Sequence, residues 1–297
     1  MHASHNWAAR WGQEAMASST PLSAPPRPIL RWAGSKRRQL PLLRACTPHK
    51  FRTYFEPFVG SASLYLSIKP EFAVLGDINA DLMATYKAVR SAPERVAHLA
   101  HSIPTSREDY YRIRGTPEAD PFAAAARFIY LNRYCFNGIY RTDKLGNFNV
   151  PYGSRTGSMP SVSDFRYFAD CTADAKLEST DFTHSLAGAK RGDFAYLDPP
   201  YLTTNRNSYG EYGYGTYRQS DLRRLIDCLT DLDTRKVKIL LSYRIEEELL
   251  AALSNWSIAE VKVYRNVAAR GRQRMRTVEI LASNYADVKA IVRNYKV

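Results

Sequence analysis

The sequence predicts an α/β fold: a sheet flanked by helices, closed at its C-terminal end by an antiparallel hairpin and interrupted by a mostly helical insert carrying a β-hairpin. Three observations predict it. Short apolar runs alternate with helical periodicities in two separate stretches, residues 28–91 and 191–297. That alternation stops over residues 92–190, where helical patterns dominate and the turn Thr142-Asp143-Lys144-Leu145-Gly146-Asn147 sits between β-prone residues. Finally, two strand-like runs, Ile258 to Tyr264 and Thr277 to Ser283, are joined by a turn containing Arg265, Arg270, Arg272, Arg274 and Arg276.

A chain of 297 residues is long enough for such a domain and a substantial core. Its formal net charge of +13 favours a polyanionic partner, nucleic acid first, over a small neutral substrate. A basic surface with no such ligand is the alternative reading. No apolar run approaches the length of a membrane span. Cys46, Cys135, Cys171 and Cys228 show no CxxC spacing, which signals neither a zinc site nor a disulfide framework and fits a reducing, cytoplasmic compartment.

Residues 1–27 are rich in Ala, Ser and Pro and lack a sustained apolar period, which predicts a disordered extension. A transit peptide, or a true start at Met16, are the other readings. Pro28 to Lys36 is an apolar entry into a Gly34 turn, with a helix from about Arg37 to Ala45; it lacks the glycine and Gly-Lys pair of a nucleotide-triphosphate loop. Phe51 to Phe55 reads as a strand, and Glu56-Pro57-Phe58-Val59-Gly60-Ser61-Ala62 as the loop into a helix near Ser61. Only Gly60 is present, so the dinucleotide fingerprint is missing. A second strand, Phe72 to Leu75, ends at Gly76-Asp77-Ile78-Asn79 before a helix from about Ala80 to Val89. An acid at that place is suited to a ribose diol, and Asp77 is that acid; helix capping by Asp77 or Asn79 is the competing reading. In the insert, helices are expected near Pro93 to His101, Arg107 to Arg114 and Pro121 to Phe136.

Asp193-Phe194-Ala195-Tyr196-Leu197-Asp198-Pro199-Pro200-Tyr201 reads as a buried strand opening into an active site. Phe194 to Leu197 suit a strand covered on both faces, and neither proline can donate to a ladder, so pairing stops at Asp198. In open α/β sheets the ligand crevice lies at the carboxyl ends of the strands, which points Asp198 and Tyr201 into it. The prolines fix φ and leave carbonyls without neighbouring donors, a rigid row of acceptors suited to an exocyclic amine. A turn closing an ordinary strand is the alternative. Thr203 to Tyr217, with tyrosines interleaved among glycines, reads as a mobile loop. Gln219 to Leu232 predicts a helix, Val237 to Ser242 a strand and Glu246 to Leu253 a helix.

Asp198-Pro199-Pro200-Tyr201 resembles the catalytic motif of amino-methyltransferases, which use S-adenosylmethionine (SAM) to methylate N6 of adenine or N4 of cytosine. Trp32 and Lys36 resemble the first motif of Dam-type adenine methyltransferases, with Ser35 in place of one glycine, and Ala62 stands where that family commonly has another. Leu131 to Gly153 resembles the target-recognition hairpin of the same enzymes. From about Ile29 to Tyr285 the chain is similar to the Dam-type, D12-class (alpha group) DNA adenine-N6 methyltransferases. The resemblance implies a Rossmann-like methyltransferase sheet formed by residues 28–91 and 191–297, with residues 92–190 as an inserted target-recognition domain. It implies SAM as methyl donor, no metal, and attack by an adenine flipped out of double-stranded DNA, with GATC as target. Asp198, Pro199, Pro200 and Tyr201 would be catalytic. Trp32, Lys36, Glu56, Phe58, Gly60, Asp77 and Asp198 would hold the cofactor, and Arg31, Asn137, Ile139, Arg141 and Pro151 would contact DNA. Neither a membrane nor an obligate protein partner is implied, and the setting is a bacterial or phage cytoplasm at the nucleoid. Cytosine N4, RNA adenine and a catalytically silent DNA-binding regulator remain the alternatives; none of the cysteines follows a proline, which disfavours ring-carbon cytosine methylation.

Overall fold

The computed structural model describes residues 28–143, 145–154, 156–202, 217–264 and 276–295. The N-terminal extension, the Gly/Tyr loop at 203–216 and the arginine turn at 265–275 lie outside the described residues.

Seven strands form one sheet: β1 (Tyr54–Glu56), β2 (Ala73–Asp77), β3 (Lys176–Ser179), β4 (Phe194–Leu197), β5 (Lys238–Arg244), β6 (Ser257–Tyr264) and β7 (Arg276–Ser283), in the order β3-β2-β1-β4-β5-β7-β6. The first five are parallel, and β7 inserts antiparallel between β5 and β6, the expected terminal hairpin. The chain walks outward from β1 to β3, then returns to place β4 on the other side of β1. Crossovers therefore leave in opposite directions from β1 and β4, and the crevice at their carboxyl ends is where such sheets bind ligands. Because β7 runs backwards, its first half lies at that same edge: Glu279 pairs in register with Arg244, the last residue of β5.

Every residue of β4 is buried. Phe194 and Tyr196 enter one core layer, Ala195 and Leu197 the other, as period-two alternation requires in a strand covered twice. The first layer is covered by α1 (Leu40–Cys46), α2 (Ser63–Ile68) and α3 (Ala80–Ser91), with α4 (Pro93–Ser102), α5 (Arg107–Gly115), α6 (Pro121–Tyr134) and α7 (Val162–Thr172) continuing the helical part. On the second face lie α8 (Phe182–Leu186), α9 (Gln219–Thr234) and α10 (Glu247–Ala252), and α11 (Val288–Asn294) follows the hairpin. In α9, Leu222, Leu225, Leu229 and Leu232 form one buried stripe at helical spacing.

Within the stretch 92–190, β3 pairs in parallel with β2 at the sheet edge and α8 packs against β2. Only Leu177 of β3 is fully buried, so this edge strand carries no apolar run to reveal it. Tyr110, Tyr130, Leu131, Cys135 and Val150 make a small separate core under α5, the end of α6 and the following loops. There Thr142 bridges Phe148 and Cys135 bridges Tyr152, the hairpin expected around the 142–147 turn.

Candidate active site

At the end of β4 the ladder stops and the chain turns through Asp198, a buried Pro199 and a half-buried Pro200 to a half-buried Tyr201. Lys36 meets them from the 3-10 turn Lys36–Gln39, held there by its neighbours in the wall of the cavity. Its ammonium lies 3.1 Å from Asp198 Oδ1, donates to Glu279 Oε2 at 2.7 Å, and reaches the Tyr201 hydroxyl at 3.4 Å. The Tyr201 hydroxyl in turn donates to Glu279 Oε1. Burial opposes the Lys36 charge, but Asp198, with Tyr196 and Glu279, outweighs it and holds the ammonium well above its ordinary range.

Glu56 ends β1, buried, and accepts a 3.0 Å hydrogen bond from the Tyr54 hydroxyl. Burial pushes its carboxyl up to about 8; the Tyr54 bond opposes the rise, and the nearby Asp198 and Asp77 add to it. Asp77 ends β2, and its two oxygens accept from Gly60 N (3.1 Å) and Asn79 N (3.0 Å). Burial outweighs these backbone donors and pushes Asp77 up to about 6. The capping alternative is settled locally: Asn79, not Asp77, caps α3 by accepting from Leu82 N at 2.9 Å.

The Gly60 loop owes its path to two residues. Gly60 has φ +44, and a Cβ there would stand 2.7 Å from Trp32 Cδ1, so the Trp32 ring lies directly on the backbone. Ala62 takes φ 55 and ψ 27, the left-handed conformation that its glycine counterpart would adopt without strain. Ser35 fills its glycine's place by joining Ser61 and Ser63, each 3.1 Å away, in a cluster of hydroxyls. Phe58 packs on Phe182, 5.3 Å between ring centres.

One cavity of about 210 Å3 is lined by Trp32, Lys36, Glu56, Phe58, Gly60, Asp77, Asp198, Pro199, Pro200 and Tyr201 together, so all the expected catalytic and cofactor positions meet. The expected DNA positions do not line it. Asn137 (φ 56), Arg141 and Pro151 are exposed and Ile139 is half-buried, all on the segment after α6. Arg141 Nε donates to Asn149 Oδ1 at 2.7 Å. The two regions are tied together: Asn132 of α6 bonds both the N–H (2.7 Å) and the C=O (2.6 Å) of Arg31, and Trp32 stacks on Tyr140 at 6.0 Å. A Cβ on Gly138 would stand 2.8 Å from Arg31 Cβ, so Arg31 lies against the recognition-like segment.

Sequence reasoning missed Glu279, and also Thr180, Asp181 and Phe182, which line the far end of the cavity where Arg224 pairs with Asp181 at 2.6 Å. The available signals were a lone acid inside an apolar strand for Glu279, and the cap position of Asp181 before α8. Asp198 and Glu279 share Lys36, and Glu56 and Asp77 stand in the same cavity wall as Asp198, so acidic side chains outnumber the ammonium at the β4 end of the cavity. Such a cavity suits a cationic guest. Among the described residues no cluster of three or more His, Cys, Asp or Glu side chains is placed to hold a metal ion, and no helix is long and apolar enough to cross a membrane.

Comparison with known proteins adds the family. The model of the D12 class N6 adenine-specific DNA methyltransferases matches residues 32–267. The chain is 30% identical over 275 residues to the Type II methyltransferase M1.LlaDCHI of Lactococcus lactis subsp. cremoris, covering 88% of this chain and 96% of that one. It is 30% identical over 288 residues to the Type II methyltransferase M.MjaIII of Methanocaldococcus jannaschii, covering 87% and 99%. A DNA adenine methylase of Escherichia coli is 29% identical over 266 residues, covering 86% and 94%.

Proposed function

The chain belongs to the D12 class of N6 adenine-specific DNA methyltransferases, and from that premise we propose that Asp198 to Tyr201 form the transfer site, acting on an adenine flipped out of double-stranded DNA within GATC. The observation that carries this reading is the position of Asp198-Pro199-Pro200-Tyr201 in the cavity wall at the end of β4, beside β1, where the strand order reverses. The family favours adenine N6 over the cytosine, RNA and silent-regulator readings.

When bound, SAM supplies an electrophilic methyl group. The residues present fit it: the carboxylate excess suits the charge of a sulfonium and an ammonium, Asp77 suits a ribose diol, and Trp32, Lys36, Glu56, Phe58 and Gly60 form the surrounding wall. Asp198 and the Pro199 carbonyl accept hydrogen bonds from the two N6 hydrogens of the target base. These bonds localise a lone pair that is otherwise delocalised into the ring, and no covalent enzyme intermediate is needed. Tyr201 stacks on the base, which has to leave the duplex because its amino group is engaged in pairing there. Arg31, Asn137, Ile139, Arg141 and Pro151 contact DNA from the segment bound to α6; arginine suits the guanine edge and asparagine the adenine edge. We assign residues 28–91 and 191–297, with β3 and α8, to catalysis, and α4 to the hairpin to target recognition. GATC rests on the likeness of that hairpin to the Dam-type one.

Asp198→Ala tests the assignment. Asp198 follows the end of β4, with 21% of its side chain exposed, so the variant should keep wild-type circular dichroism, with a melting temperature lowered by loss of the ion pair to Lys36. Methyl transfer should fall at least ~100-fold, the scale seen when a group that stabilises developing charge is removed. Appreciable turnover by a folded variant would count against the mechanism.

A further inference from the structure

We infer that Glu279 on β7 is a positioning residue for methyl transfer, fixing Lys36 and Tyr201 relative to the target amine. This rests on the reading of Asp198 as the acceptor for that amine.

Glu279 is buried beside Ile280, Leu281 and Ala282 in a strand paired on both sides. A carboxylate in such a place is costly unless it is paired and hydrogen-bonded. Both of its oxygens are engaged, Oε2 by the Lys36 ammonium at 2.7 Å and Oε1 by the Tyr201 hydroxyl. Lys36 also lies 3.1 Å from Asp198, so two carboxylates share one ammonium. That sharing has a chemical consequence. With Glu279 ionised, the group around Asp198 stays net negative, and Asp198 remains a strong acceptor for an amine that gains positive charge as it is methylated. With Glu279 neutral, the Lys36 charge would fall on Asp198 alone and weaken it as an acceptor. The second consequence concerns the ring. Tyr201 is held at its hydroxyl by Glu279 and along its side by Tyr243, whose ring centre is 5.5 Å away, so the face offered to the base is set before the base arrives.

The test compares the wild type with E279Q, K36M, the double variant K36M/E279Q, Y201F and D198A, by single-turnover methyl transfer to a duplex oligonucleotide at saturating SAM, with melting temperatures and the Kd for SAM and DNA. E279Q should slow transfer about 30-fold while both Kd values move less than about threefold, a split that general loosening of the fold does not produce. In the K36M background the same substitution should cost less than about threefold, because glutamine still accepts from the Tyr201 hydroxyl and the charge it removes acts through the lysine. An E279Q rate within threefold of wild type, or an equal loss in both backgrounds, overturns the inference. Should E279Q fail to fold, Y201F carries the test, since it removes only the hydroxyl that joins Glu279 and Lys36 and keeps the ring. Slower transfer at unchanged Kd then supports the clamp, and wild-type turnover overturns it. D198A separates the two levels: activity retained by D198A defeats the catalytic reading itself, whereas an inactive D198A beside a fully active E279Q defeats only the role of Glu279.

Discussion

Replacing Glu56 with glutamine asks whether the cavity is built to receive positive charge. Glu56 is buried at the end of β1, with its carboxyl raised from 4.5 to about 8. The folded protein therefore holds this proton more tightly than the unfolded chain does, and fewer protons are bound on unfolding. The contribution to stability is fully present below about pH 4.5 and is lost as the pH rises through about 8. At 1.36 kcal/mol per pH unit, the ceiling on the loss is about 5 kcal/mol. Relaxation of the site and entry of water reduce the expected value to about 2–4 kcal/mol. Glutamine keeps an acceptor for the Tyr54 hydroxyl and does not ionise, so this contribution becomes flat with pH. Urea unfolding without SAM should give similar stabilities for wild type and Glu56→Gln near pH 4.5, and a variant more stable by about 2–4 kcal/mol near pH 8.5. Above about pH 8, where Glu56 is ionised, the same variant should bind SAM more weakly, because it lacks the carboxylate that a cationic guest would meet there. Parallel stability curves, or a variant less stable than wild type near pH 8.5, would refute the reasoning.

Gly60→Ala should cost about 1–3 kcal/mol in urea unfolding and weaken SAM binding, since its Cβ would drive Trp32 from the loop at a backbone φ of +44. Ala62→Gly is the opposite case: relief of the left-handed strain, about 1 kcal/mol, nearly offsets the loss of one buried methyl, so stability should stay within about 1 kcal/mol of wild type. A loss above about 2 kcal/mol would show that Ala62 is unstrained. Arg141→Ala should relax sequence preference in methylation of a mixed-site plasmid while SAM affinity stays put; an unchanged pattern removes Arg141 from base readout.

The sheet's centre was legible because its chemistry is local. β4 announces itself by four apolar residues and two prolines that end the ladder, and α9 by its leucine stripe. The Gly60 loop and Asp77 were legible by type and place, although sequence alone left Asp77 and Asn79 competing for the cap, which the hydrogen bonds divide between them. β3 was not legible: an edge strand with one fully buried side chain looks like a turn. Helix α7 did carry a signal that went unread, a capping box at Ser161 and Asp164 before Phe165, Phe168, Ala169 and Thr172 on one face. Glu279 showed only as a lone acid inside an apolar strand. Its meaning comes from Lys36, 243 residues away in sequence, and only the antiparallel course of β7 brings the two together.

The most direct test of the central claim is to incubate the purified protein with unmethylated plasmid and SAM labelled in its methyl group, then identify the labelled base and its sequence context. Label recovered as N6-methyladenine within GATC is the predicted result. Label on cytosine, or none from a folded protein that binds DNA and SAM, would contradict it; N6-methyladenine in another sequence would keep Asp198 at the centre of the chemistry and withdraw Asn137 and Arg141 as readers of GATC.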